Sequence, residues 1–113
     1  MVWNGNCNWD NKGLTEFPPN FVEVTGYFYC GNNKLTSLEG CPQTVGRQFY
    51  CDYNQLTSLE GCPQTVGGGF YCYNNPLLTT IPAGIQIGGF VYISRDQQQL
   101  KADAESKGYT VSL

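Results

Sequence analysis

Apolar positions along this chain follow a short, repeated alternation rather than a helical period. In "FYCDYNQLTSLEGCPQTVG", residues 49–67, Phe49 and Cys51 alternate with Tyr50 and Asp52. That two-residue period is the mark of a strand with one buried face. Leu56, Leu59, Pro63 and Val66 then supply more widely spaced apolar positions through a stretch of Thr, Ser, Gly and Gln. Nearly the same text precedes this segment as "FYCGNNKLTSLEGCPQTVG" and follows it as "FYCYNNPLLTTIPAGIQIG". Aligned on Phe28, Phe49 and Phe70, the copies recur every 21 residues, a period that belongs to solenoids.

The shared unit reads Phe-x-Cys-x-x-Asn-x-Leu-x-x-Leu, and each part predicts an element. The Phe-x-Cys segments form strands that stack side by side, about 4.8 Å apart, into a parallel sheet. Asn33, Asn54 and Asn75 fall where the chain must turn, and their amides point inward to serve backbone groups left unpaired by the bend. The return half, with its Gly and Pro, opposes a long helix and predicts tight turns with extended or single-turn helical pieces. No unit buries its apolar face alone, so stability comes from its neighbours.

The ends are degenerate copies. In "NCNWDNKGLTEFPPNFVEV" Cys7 takes the Cys slot, Asp10 the Asn slot, and Leu14 and Phe17 the leucine slots, with two residues inserted. Trp3 and Trp9 cover the first edge of the core. "FVYISRD" is a fourth strand with Val91 and Ile93 inward and Asp96 in the Asn position. In "DQQQLKADAESKGYTVSL", Asp96 as N-cap and Gly108 as C-cap bracket a helix whose Leu100 and Ala104 seal the last repeat, and "YTVSL" adds a final strand. The expected organisation is one domain over 1–113: a degenerate N-terminal repeat at 1–27, repeats at 28–48, 49–69 and 70–90, and a last strand with a helix-strand cap at 91–113.

The repeated Leu and Asn positions resemble the leucine-rich repeat family, whose unit is L-x-x-L-x-L-x-x-N-x-L. "LTSLEGCPQTVGGGFYCYNN" is similar to the short repeats of tailed-phage and bacterial leucine-rich repeat proteins, with Phe and Cys replacing two leucines. The resemblance spans roughly residues 2–96. It implies a parallel β-sheet on a concave face, mostly non-helical turns on the convex face, and a protein partner on the concave side. If phage-encoded, the chain would act on a host or viral protein in the host cytoplasm.

The tyrosine between Phe and Cys must then face out of the sheet. Tyr29, Tyr50, Tyr71 and Tyr92 align on adjacent strands, and two positions on come Gly31, Asp52, Tyr73 and Ser94. The predicted partner-binding residues are therefore Tyr29, Tyr50, Asp52, Tyr71, Tyr73 and Tyr92, with Tyr53 and Arg95 at the rim. Rigid aromatic area carrying a hydroxyl is what binding hot spots use. The competing reading is that stacked tyrosines only stabilise neighbouring strands.

Composition narrows the function class. A net charge of −3, with six basic residues scattered along the chain, weighs against nucleic acid. No apolar run approaches a membrane span of about 20 residues, and "MVWNGNCNWDN" lacks the pattern of a secretory signal. A cytoplasmic protein is the expectation. The six cysteines follow the repeat, which favours buried free thiols in apolar slots over a disulfide framework. With no C-x-x-C pair and no His, neither a metal site nor any other cofactor is expected. The missing general base and the core-bound thiols argue against an enzyme. Two readings remain: a non-catalytic protein-binding module, and a structural protein that assembles with itself through open strand edges.

Overall fold

Each repeat carries two short extended segments, one before and one after the Gly-containing corner. The computed structural model describes residues 1–18 and 21–113 of the chain, so Pro19 and Asn20 of the degenerate first copy lie outside it. Among the described residues there are eleven two-residue strands and one helix: β1 (Val2–Trp3), β2 (Cys7–Asn8), β3 (Glu23–Val24), β4 (Phe28–Tyr29), β5 (Thr44–Val45), β6 (Phe49–Tyr50), β7 (Thr65–Val66), β8 (Phe70–Tyr71), β9 (Gln86–Ile87), β10 (Val91–Tyr92), α1 (Gln98–Ser106) and β11 (Val111–Ser112). They build a parallel β-solenoid of about five turns, with a six-stranded sheet β11-β10-β8-β6-β4-β2 and a five-stranded sheet β1-β3-β5-β7-β9.

On the far side, where the sequence predicts tight turns with extended or single-turn helical pieces, the extended pieces pair into a second sheet. Its residues include Thr44-Val45 and Thr65-Val66, β-branched pairs suited to extended backbone. A strict 21-residue period sets them directly opposite one another, Thr44 against Thr65 and Val45 against Val66. The valines point inward and are buried. Two sheets therefore clamp one core, in which Phe28, Phe49 and Phe70 and Cys30, Cys51 and Cys72 are all fully buried. The six thiols are free and buried, and burial pushes the Cys62 thiol up to about 12. These are apolar fillers, protonated at any physiological pH.

The predicted asparagine ladder is present. The Asn54 amide nitrogen donates to the carbonyls of Cys30 (3.1 Å), Cys51 (3.1 Å) and Asp52 (3.2 Å), and its Oδ1 accepts from the Leu35 N–H at 3.0 Å. Asn33 and Asn75 repeat the arrangement one coil to either side. Each amide thus ties its own turn to the preceding coil.

Both ends differ from expectation in register. The first repeat has no insertion within its strands: Cys7 pairs with Phe28 and Asn8 with Tyr29. Cys7 therefore fills the Phe slot, Trp9 the Cys slot, and Asp10 the position of Gly31 and Asp52. Trp9 packs on Phe21 and Phe28 at 4.9 and 5.8 Å, with Trp3 on its outer side at 6.0 Å. Two indoles thus close the end where a small thiol could not.

At the other end Gln97, not Asp96, takes the ladder position. Gln97 is buried, its Nε2 donates to the carbonyls of Cys72 (3.2 Å) and Asn75 (3.0 Å), and its Oε1 accepts from Ser94 N–H at 2.6 Å. A carboxylate has no donor for those carbonyls, which is why exposed Asp96 is passed over. Gln97 is also the helix N-cap residue, without a side-chain capping bond. Leu100 and Ala104 of α1 are fully buried on the last coil, as expected. Asp103 accepts from Ile81 N–H at 2.9 Å and pairs with Lys107 at 2.8 Å. Gly108 follows the helix with φ of 89°, and β11 pairs with β10.

Candidate functional site

The tyrosine row forms because its positions are in register on four consecutive strands. Tyr29 pairs with Tyr50, Tyr50 with Tyr71, and Tyr71 with Tyr92. Parallel strands hold neighbouring side chains about 4.8 Å apart, close to the separation of stacked rings. The ring centroids are accordingly 4.8, 4.3 and 4.2 Å apart, with interplanar angles of 14°, 16° and 6°. All four rings are half-buried.

Face-to-face stacking changes what the row can offer. The ring faces are spent on one another, so solvent meets ring edges and hydroxyls. The central hydroxyl, that of Tyr71, is held well above its usual pKa, first by burial and then by hydrogen bonding with the hydroxyls of Tyr92 and Tyr50. Tyr29 is shifted in the same direction by burial and by Tyr50. Both stay protonated at physiological pH. The row ends in a ladder of hydroxyls, each able to donate or accept.

Not every predicted site residue joins that ladder. Tyr73 stands beside it, 6.4 Å from Tyr71 at 78°, and meets Tyr53 at 5.7 Å and 85°. Asp52 is not displayed: it is buried, with its carboxyl against the Tyr73 hydroxyl. At the matching position one coil earlier, a Cβ on Gly31 would come within 2.9 Å of the Asp52 carboxylate. Arg95 is exposed at the rim.

Burial raises the Asp52 pKa above the ordinary carboxyl value, partly offset by a hydrogen bond from its own backbone N–H and another from Tyr73. A raised folded-state pKa means that the fold favours the neutral acid. The stabilisation is complete below the unfolded carboxyl pKa and is lost as pH rises through the folded one. Asp52→Asn should therefore be more stable than the parent at pH 7, with the gap closing towards pH 3. Urea midpoints of the two proteins at both pH values check this, and a variant less stable at pH 7 would refute it.

Two parts of the surface have no signature in the repeat. Tyr27, Gln48, Gly69 and Phe90 form a second column beside the tyrosines. Tyr27 stacks on Tyr29 at 5.9 Å and 7°, exposed Phe90 lies 6.0 Å from Tyr92, and the Gly69 N–H donates to Gln48 Oε1. The residue type changes in every copy, so nothing in the spacing marks the column. Asp10 is the other part, displaced from the Asn slot by the register of the first strand; its Oδ1 accepts from Gly31 N–H at 2.8 Å, on the same side as Asp52.

Among the described residues no group of three or more His, Cys, Asp or Glu side chains is arranged to hold a metal ion. No helix among them is long and apolar enough to cross a membrane. Comparison with protein-family models, with curated proteins and with solved structures returns no match.

Proposed function

We propose that this chain is a non-catalytic protein-binding module that grips its partner with the tyrosine-bearing face of the six-stranded sheet. The observation that carries this reading is the stacked row Tyr29-Tyr50-Tyr71-Tyr92, half-buried and ending in a line of hydroxyls. Rings held by their neighbours lose little freedom when a partner arrives, which is what pre-organised hot spots need. Tyr73, Phe90 and Tyr27 widen the same surface. With Asp52 buried, the surface carries few charges, and binding should depend little on salt.

The resemblance to short phage and bacterial leucine-rich repeats adds a direction: this face is the concave side of a leucine-rich repeat, and a host or viral protein in the cytoplasm is the first class of partner to test. Tyr50→Phe with Tyr71→Phe keeps the stack and removes only the hydroxyls. We expect that double variant to melt as the parent does while losing at least about tenfold in partner affinity, roughly 1.4 kcal/mol. Affinity capture with both proteins finds partners retained by the parent alone. Equal capture by both would refute the reading.

A self-assembling structural protein is the second reading, and one observation favours it. Met1, Val2, Trp3 and Val22 leave exposed apolar area at the first coil. Against it, part of that edge is already blunted: the Trp3 indole N–H donates to the Asn6 carbonyl at 2.9 Å, and Asn8 Oδ1 accepts from Asp10 N–H at 3.0 Å. The other end is covered by α1. Light scattering over a wide concentration range separates the two: a steady monomer supports the module, and a growing polymer the building block.

A further inference from the structure

One turn corner recurs in four coils with left-handed backbone: Asn11 (φ 55°), Asn32 (52°), Tyr53 (53°) and Asn74 (56°). Asparagine tolerates that conformation because its short polar side chain suits it; an aromatic side chain seldom adopts it. Tyr53 is thus the one of the four whose residue type works against its backbone. Strain of this kind points outward from the fold to a use for the side chain.

What the side chain offers is an open ring. Tyr53 is 51 % exposed, and its ring contact, with Tyr73, is edge-on at 5.7 Å and 85°. The row Tyr29-Tyr50-Tyr71-Tyr92 stacks its ring faces away, whereas Tyr53 keeps a face for a visitor. On the coils to either side, about 4.8 Å away along the solenoid, stand Asn32 and Asn74. Both are exposed, and among the described residues neither side-chain amide is hydrogen-bonded within the protein. Tyr53, Asn32, Asn74, Asn11 and Gln55 line one shallow cavity of about 360 Å³ together with the ladder amides.

Every side chain lining this cavity is uncharged. An ionic ligand would find no counter-charge there. A flat apolar platform flanked by amides, each with a donor and an acceptor, matches a molecule with one C–H face and a rim of hydroxyls. We propose that Tyr53, with Asn32 and Asn74, is a binding site for a neutral pyranose unit of a glycan: the sugar ring lies on the tyrosine and its vicinal hydroxyls pair with the flanking amides. This site is separate from the hydroxyl ladder and does not depend on it.

The test is an amide-shift NMR titration of the full chain with methyl β-glucopyranoside, methyl α-mannopyranoside and N-acetylglucosamine, with glycerol as a polyol that cannot stack. The expected result is saturable shifts at residues 32, 53 and 74 with at least one glycoside and none with glycerol. Tyr53→Phe, which retains the platform, should bind as the parent does. Tyr53→Asn should lose at least about tenfold in affinity and, relieved of the strained aromatic, melt at a higher temperature. Shifts absent with all three glycosides, matched by glycerol, or undiminished in a folded Tyr53→Asn would each overturn the proposal. Tyr50→Phe/Tyr71→Phe should bind the glycosides normally, so failure of the ladder reading and failure of this one are distinguishable.

Discussion

Asn54→Leu should lower the unfolding midpoint of the central coils by a large fraction of the protein's stability. The side chain is buried and bonds to four backbone groups: the carbonyls of Cys30, Cys51 and Asp52 and the N–H of Leu35. Leucine has the same branched shape and no polar atoms, so the site stays filled while the Leu35 N–H is orphaned and the three carbonyls are each left with one partner, Asn33 Nδ2, Asn75 Nδ2 and the Asn32 N–H respectively. An orphaned buried donor or acceptor costs about 1–3 kcal/mol. That one orphan, with three further hydrogen bonds lost at about 0.5–1.5 kcal/mol each, sums to roughly 2.5–7.5 kcal/mol, against a total stability of about 5–15 kcal/mol for a domain. The loss falls on the coil junction, because the Asn54 amide bonds across to Cys30 in one coil while holding Cys51 and Asp52 in its own.

A graded control comes from the cap. Gln97 does the same work with one more methylene, but from a position shifted one residue along the chain. Asn54→Gln should therefore be intermediate, its amide present but displaced. Thermal and urea unfolding followed by far-UV circular dichroism would rank parent, Gln and Leu in that order. A leucine variant with an unchanged midpoint would mean that the ladder is filler rather than fastening.

The ladder also shows what was legible in the sequence. Asn33, Asn54 and Asn75 announce their role because the same residue recurs at the same spacing, and so do Phe49, Cys51 and Tyr50. Repetition exposes a slot by holding its occupant constant. Where the occupant changes, the slot disappears from view: Trp9 for Cys, Gln97 for Asn, and the column Tyr27-Gln48-Gly69-Phe90. The insertion expected at the first repeat follows from matching Cys7 to Cys30 by identity. Backbone pairing instead matches Cys7 to Phe28, since what the end of a core requires is total volume, supplied there by Trp9. The second sheet was hidden for another reason. Two extended residues per coil are too few to show alternation, and only the 21-residue period reveals that Thr44 and Thr65 must lie side by side. For the candidate site, register fixed which tyrosines meet. It could not show that their rings would stack face to face, nor that Tyr53 would keep a face open.

Gly67→Ala is expected to cost about 3 kcal/mol, the upper end of what overpacking costs, although the position reads as an ordinary turn glycine. A Cβ at Gly67 would lie 2.0 Å from the Gly46 carbonyl oxygen. The obstacle is backbone, so no rotamer change relieves it. Moving the coil away would stretch the Gly67 N–H bond to the Val45 carbonyl, now 2.9 Å. The same contact recurs along the column: a Cβ at Gly46 would meet the Thr25 carbonyl oxygen at 2.1 Å, and one at Gly88 the Gly67 carbonyl oxygen at 2.1 Å. The backbone at these positions is not left-handed, so the glycines are there for closeness of approach rather than for conformational freedom.

Gly84 makes the opposite case. It has φ of 83°, and nothing lies within 4 Å of the place an alanine methyl would occupy, so Gly84→Ala should cost only the left-handed penalty of about 1–2 kcal/mol. Unfolding midpoints of the two alanine variants therefore separate two reasons for glycine in one chain. If Gly67→Ala proved as mild as Gly84→Ala, coils at this corner would have to lie further apart than the paired register allows. The 21-residue period would then be held by the six-stranded sheet alone. If it is the more damaging, the five-stranded sheet is as much a part of the spine as the tyrosine-bearing one, and the spacing that stacks the tyrosines at 4.2–4.8 Å is set from both sides of the core.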